Sequence, residues 1–195
     1  GGAILTNNKS YYEKAKNLRS HGIIRSLQNK KKIGNWFYDI NELGYNYRLT
    51  DFQSAIGITQ LDKLSLFIKK RIQISKVYNE EFKEVKNILT PTVKKNVRHA
   101  YHLYPLRINF KKINLSKKKF FSIMLKKGYN LQVHYIPIHF HNYHKKNVKY
   151  KNGELPVTEQ FYKDEVSLPN YFQLSIKEVY KITKIIKKIV SGKIS

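Results

Sequence analysis

The chain has 195 residues, enough for one domain or one domain plus part of another, and its 41% hydrophobic and 13% aromatic content argues against wholesale disorder. It contains no cysteine, which excludes disulfides, thiolate metal sites and cysteine nucleophiles and fits a reducing, cytoplasmic setting. The net charge of +25 invites a nucleic-acid reading, but only 6 of the 38 basic residues are Arg and the Lys are scattered rather than gathered in a tract, so a solvated Lys-rich surface is preferred to a polyanion site.

Gly1 to Thr6 reads as a buried-type strand already under way, and with no initiator Met the chain is expected to be a fragment. Ser10 and Glu13 have capping-box spacing, predicting a helix through about Arg19 that stops near Gly22. From Ile23 to Trp36 the chain is polar, Lys-rich and expected to loop. Thr50 and Gln53 form a second capping box, so a helix begins at about Asp51 with Phe52, Ala55, Ile56 and Thr59 on one face. That places Asn46 on a Gly-led turn just ahead of a helix start, a position suited to holding an anion or a ligand hydroxyl.

A further helical pattern runs on from Asp62, with Leu61, Leu64, Ile68, Ile72 and Phe82 spaced as a buried stripe and Lys69, Lys70, Arg71 and Lys76 as its wet side. Ala100 to Ile108 reads as a strand in which Pro105 suggests an edge or a bulge. Ser116 to Lys127 is a helix with Phe120, Phe121, Met124 and Leu125 inward and Gly128 as its stop. Leu131 to Ile136 is read as a strand, Val157 to Lys163 as a helix and Val166 to Pro169 as a short strand. The last helix opens with Ser175 and Glu178, carrying Val179, Ile182, Ile186 and Ile189 inward. This order predicts an α/β unit from Val85 onward, and no apolar run is long enough to span a bilayer.

Four of the seven histidines crowd into the stretch His134 to His144. A metal centre is one reading, but the spacing is not a recognised zinc pattern and no nearby carboxylate stands out as a partner, so no metal is assigned. A Tyr/His-rich surface loop is a second reading. The preferred one is a polar loop closing over a substrate, with His134 and Tyr135 supplying hydrogen bonds and a stacking face. Ser167 lacks a Gly-x-Ser-x-Gly frame and offers no case for a nucleophile.

Taken together, Gly1-Gly2-Ala3, Arg19-Ser20-His21-Gly22, Leu43 to Arg48 and Thr50-Asp51-Phe52-Gln53-Ser54-Ala55-Ile56-Gly57 resemble the motifs of the DegT-like sugar aminotransferases, which use pyridoxal phosphate (PLP) and act on nucleotide-linked keto sugars. Ala100 to Pro105, Gln132 to His139 and Leu168-Pro169 resemble the branch of that family serving pseudaminic acid biosynthesis. The resemblance implies the α/β architecture of fold-type-I PLP enzymes: residues 1–60 a remnant of the large domain, 61–84 a connecting helix and 85–195 the small C-terminal domain. It implies a homodimer whose Asn46 reaches the PLP phosphate of the partner subunit. His134 and Tyr135 would line the sugar-nucleotide site, and Arg48 would lie near the anionic substrate or act as a structural ion partner. The substrates implied are an amino-acid donor, glutamate by preference, and a UDP-linked 6-deoxy sugar with a keto group at C4.

His141 and Asn142 depart from the Gln and Pro often found in this loop. The Schiff-base lysine of the family is expected upstream of Gly1, so this piece is expected to be inactive alone. The alternatives to an aminotransferase fragment are a basic nucleic-acid-binding module and a non-catalytic interaction domain.

Overall fold

Asn8, not Ser10, opens the first helix of the computed structural model, which describes residues 2–147 and 153–194. Its side-chain oxygen accepts from the backbone N–H of Ser10 at 2.9 Å and of Tyr11 at 3.2 Å. Those are two of the donors a helix start leaves without a partner, so the expected Ser10–Glu13 box has nothing left to satisfy. The contacts of the chain divide it into two compact units, Gly1–Asp62 and Lys63–Ser195.

The first unit holds α1 (Lys9–Arg19), β1 (Ile23–Ile24), α2 (Leu27–Ile33), β2 (Asp39–Ile40) and α3 (Asp51–Asp62). β1 and β2 pair antiparallel with Ile23 opposite Ile40. The expected loop from Ile23 to Trp36 therefore carries a short strand and a helix, the helix capped by Ser26 Oγ accepting from Asn29 N at 3.3 Å. Residues 2–6 do not form the expected strand: a strand needs a ladder partner, none of the described residues supplies one, and Ile4 and Leu5 stay exposed. Gly1 lies outside the described residues. The Thr50–Gln53 box forms in both directions, Gln53 N donating to Thr50 Oγ1 at 3.3 Å and Thr50 N to Gln53 Oε1 at 3.0 Å. The Phe52–Ile56 face of α3 is uncovered, and none of the three helices of this unit has a buried residue.

The second unit contains α4 (Leu64–Phe82), β3 (Ile88–Leu89), β4 (Tyr104–Ile108), α5 (Lys117–Lys126), a 3-10 turn (Ile138–Phe140), α6 (Asn142–Asn147), α7 (Pro156–Asp164), β5 (Glu165–Leu168) and α8 (Ile176–Val190). The sheet runs β3-β4-β5, antiparallel throughout. β4 is thus central, yet Pro105 still meets an edge. Ser167, opposite Pro105, turns its N–H away from β4 to Gln132 O at 2.9 Å. The Pro105 nitrogen therefore points to the other side, where β3 pairs only with Arg107 and Ile108.

α4 and α8 pack against each other and bury Ile74, Tyr78, Phe82, Val179, Ile182 and Ile186. Each such side chain contributes about 1.5–3 kcal/mol of transfer free energy. The stripe expected on α4 is displaced: Leu61 and Leu64 are exposed, Ile68 and Ile72 half-buried, and Ile74 and Tyr78 take the core positions. The buried phenols are satisfied, Tyr78 donating to Pro169 O at 3.0 Å and Tyr104 to Asn79 Oδ1 at 2.6 Å, and burial pushes both hydroxyls well above the ordinary tyrosine range. On α5, Phe120, Ile123 and Met124 are buried while Leu125 is exposed, so Ile123 takes the inward place expected for Leu125. Ser175 caps α8 as expected, accepting from Glu178 N at 3.1 Å, and Ser116 caps α5 in the same way, accepting from Lys119 N at 3.1 Å.

The expected strand from Leu131 to Ile136 reduces to a single bridge between Gln132 and Ser167. Beyond it the backbone N–H of His134 donates to the Glu165 carboxylate at 3.0 Å, so a side chain replaces the ladder that would have continued the pairing. The α/β class holds, with a mixed arrangement rather than strict alternation.

Candidate functional site

Within the first unit, the turn after α1 and the loop before α3 lie against each other with two glycines at the contact. A Cβ on Gly44 would come 2.1 Å from Gly22 N, and one on Gly22, whose φ is +68°, would come 2.0 Å from Glu42 O. This close approach lets Tyr45 N donate to Leu18 O at 2.7 Å, His21 N to Tyr45 O at 2.9 Å and Tyr47 N to Arg19 O at 2.9 Å. Asn46 is thereby held as an isolated bridge partner of Ser20. The Tyr45 and Tyr47 rings stack at 4.8 Å beside it.

This backbone brings Asn46, Arg48 and His21 together. Arg48 Nε donates to Asn46 Oδ1 at 3.3 Å, and Arg48 Nη2 lies 3.3 Å from His21 Nε2. A guanidinium only donates, so His21 accepts at Nε2 and carries its proton on Nδ1. Asn46 is exposed and its Nδ2 has no hydrogen-bond partner among the described residues. The result is an outward pair of amide N–H groups beside a guanidinium, a donor set suited to an anionic oxygen. His21 was visible in the sequence as part of the Arg19–Gly22 motif, but nothing in that motif said it would touch Arg48.

In the second unit His134 is half-buried and Tyr135 is 71% exposed, their rings meeting edge to face at 4.6 Å. His134 Nδ1 lies 2.7 Å from Ser167 Oγ, and Ser167 donates to Glu165 Oε1 at 2.5 Å. Glu165 is fully buried and receives the His134 backbone N–H on its other oxygen. Sequence reasoning missed Glu165 altogether and noted Ser167 only to dismiss it as a nucleophile. The alternation of β5 could have flagged them, since residues two apart on a strand share a face. The Lys117 ammonium donates to Tyr162 O at 2.6 Å and feels the charge of this carboxylate. Burial lowers its ammonium from the ordinary lysine range, while Glu165 and Asp164 oppose that shift.

The other histidines of the 134–144 stretch diverge. His139 is buried beside Glu159 at 3.4 Å, His141 is exposed and His144 is half-buried. Among the described residues no group of three His, Asp or Glu side chains is placed to hold a metal ion. Arg71, expected on the wet side of α4, instead donates through Nη1 to the carbonyls of His102 at 2.9 Å, Tyr101 at 3.5 Å and Asn170. Long basic side chains reach past their own helix face, and three carbonyls converge within range of this one.

Residues 1–187 match the DegT/DnrJ/EryC1/StrS aminotransferase family. The chain belongs to that family. This family member is 42% identical over 192 residues to the uncharacterized protein MJ1066 of Methanocaldococcus jannaschii, a match covering 98% of this chain and 50% of that one. It is 37% identical over 180 residues to the UDP-4-amino-4,6-dideoxy-N-acetyl-beta-L-altrosamine transaminase of Campylobacter jejuni subsp. jejuni, covering 91% of this chain and 45% of the relative. The solved structure of Helicobacter pylori PseC, described as an aminotransferase involved in the biosynthesis of pseudoaminic acid, matches with a TM-score of 0.84 and 28% identity over 96% of this chain and 48% of that one. The chain thus spans about half the length of the curated relatives it matches. The aminotransferases of this family are PLP-dependent. No helix among the described residues is long and apolar enough to cross a membrane.

Proposed function

We propose that this chain is the C-terminal portion of a cytoplasmic, homodimeric PLP-dependent aminotransferase. In this reading the enzyme moves an amino group from an amino-acid donor, glutamate by preference, to the C4 keto group of a UDP-linked 6-deoxy sugar. Residues 1–60 belong to its PLP domain, 61–84 to a connecting helix and 85–195 to the small domain. The lysine that anchors PLP is supplied by the other half of the enzyme, so this half has no transaminase activity alone.

The observation that carries the reading is the orientation of Asn46. With its Oδ1 occupied by Arg48, the amide offers N–H groups outward from a backbone pinned at two glycines. That donor set fits a phosphate oxygen of PLP, and we assign Asn46 to the PLP phosphate of the partner subunit. Arg48 orients the amide and adds positive charge for an anion. In the second unit, Tyr135 offers an exposed ring for stacking and His134 a ring nitrogen for a polar group of the sugar nucleotide. Bound PLP would supply the electron sink that transamination requires. The exposed apolar residues of α3, Phe52, Ile56 and Leu61, fit burial against the rest of the enzyme.

The test is to express the complete enzyme and record its visible absorbance. A PLP chromophore bleached by glutamate, with amino transfer to a UDP-4-keto sugar, is expected. A colourless complete enzyme, or one whose chromophore no amino donor bleaches, overturns the reading.

A further inference from the structure

The chain His134–Ser167–Glu165 fixes a proton position. Glu165 as a carboxylate has no proton to give, and both its oxygens are engaged, Oε2 by His134 N at 3.0 Å and Oε1 by the Ser167 hydroxyl at 2.5 Å. The one hydroxyl proton of Ser167 is therefore spent on Glu165. Its oxygen can meet His134 Nδ1, 2.7 Å away, only as an acceptor. Nδ1 must then carry the hydrogen, and in the neutral ring Nε2 is left with a lone pair. Nε2 has no hydrogen-bond partner among the described residues, and the half-buried ring lies against exposed Tyr135. The same arrangement excludes a nucleophilic serine, because the hydroxyl proton points at Glu165 and the imidazole nitrogen beside it is already protonated.

We propose that Glu165 and Ser167 are positioning residues that hold neutral His134 in its Nδ1–H tautomer, so that Nε2 meets the substrate as a hydrogen-bond acceptor. This rests on the reading that His134 lines the sugar-nucleotide site, and it narrows what that residue takes. Its partner is a hydroxyl or an amide N–H of the sugar. It is not a phosphate oxygen, which needs a donor.

The tautomer is read directly by long-range proton–nitrogen NMR correlation on the protein labelled with 15N-histidine. The measurement is made above the ordinary histidine titration range, and the His134 signals are assigned by their loss in His134→Gln. The expected pattern is a proton on Nδ1 in the unsubstituted protein, a shift to the Nε2–H form in Ser167→Ala, and retention of the Nδ1–H form in Ser167→Thr, which keeps the hydroxyl. A proton on Nε2 of the unsubstituted protein overturns the proposal whether or not the Ser167 variants fold. A Ser167→Ala spectrum unchanged from the unsubstituted one overturns it as well. The readout needs neither PLP nor turnover, so its failure is distinct from failure of the aminotransferase reading.

Discussion

Arg48 donates through Nε to Oδ1 of Asn46 at 3.3 Å, and that contact decides which end of the amide faces outward. An asparagine amide has an accepting and a donating end, and only the donating end can serve an anion. In the complete enzyme, Asn46→Asp removes both donors and sets a negative charge where a phosphate is proposed. PLP retention, followed by absorbance after dialysis, is expected to weaken about tenfold or more. Arg48→Lys keeps the charge but loses the planar fork that orients Asn46, and a smaller loss of about three- to tenfold is expected. Equal retention by Asn46→Asp and the unsubstituted enzyme would remove Asn46 from the phosphate role.

Gly44 stands so close to Gly22 that a methyl group there meets backbone rather than a yielding side chain. Gly44→Ala should destabilise the first unit by about 1–3 kcal/mol and displace the loop bearing Asn46. Urea unfolding followed by the fluorescence of Trp36 would show it, since Trp36 is the only tryptophan and lies in that unit. An unchanged midpoint would mean that the two turns can separate without cost.

Arg71 ties α4 to the carbonyls of Tyr101, His102 and Asn170, and Asn170 Nδ2 reaches Tyr101 O and Ser75 Oγ, both at 3.1 Å. Arg71→Ala strips those carbonyls of their charged donor and should cost about 2 kcal/mol of second-unit stability. Far-UV circular dichroism in urea is the measurement. A surface lysine such as Lys76, on the exposed side of α4, should by contrast be replaceable with little effect.

Tyr129 donates to Glu178 Oε1 at 2.5 Å, and the two groups respond to pH with opposite sign. Burial, followed by this hydrogen bond, pushes the Tyr129 hydroxyl up to about 12. A raised folded value means its contribution is complete below the ordinary tyrosine range and lost as pH climbs toward 12. The Glu178 carboxyl is held below its usual range by Tyr129 and then by Lys181, so its contribution is present above that range and lost as pH falls through the lowered value. The difference in Tm between the unsubstituted protein and Tyr129→Phe should therefore be largest at neutral pH and shrink at both extremes. A difference that stays constant into strong alkali would show that the hydroxyl does not bind Glu178.

Local chemistry was legible from the residues alone. The Thr50–Gln53 box, the Ser175 cap and the inward face of α8 are decided within a few residues of themselves, by orphan backbone donors and a helical period. The motif pairs that mark the family were legible too, and the family match over residues 1–187 agrees with them.

Contacts between segments far apart in sequence were not. Arg71 left the solvent because carbonyls from residues 101, 102 and 170 converge on it. The strand after Leu131 gave way because a carboxylate from β5 claimed the His134 N–H. Capping and periodicity are short-range and written in neighbouring residues, whereas the proton order at His134 and the contact of Arg48 with His21 depend on partners 33 and 27 residues away that only folding brings into hydrogen-bonding range.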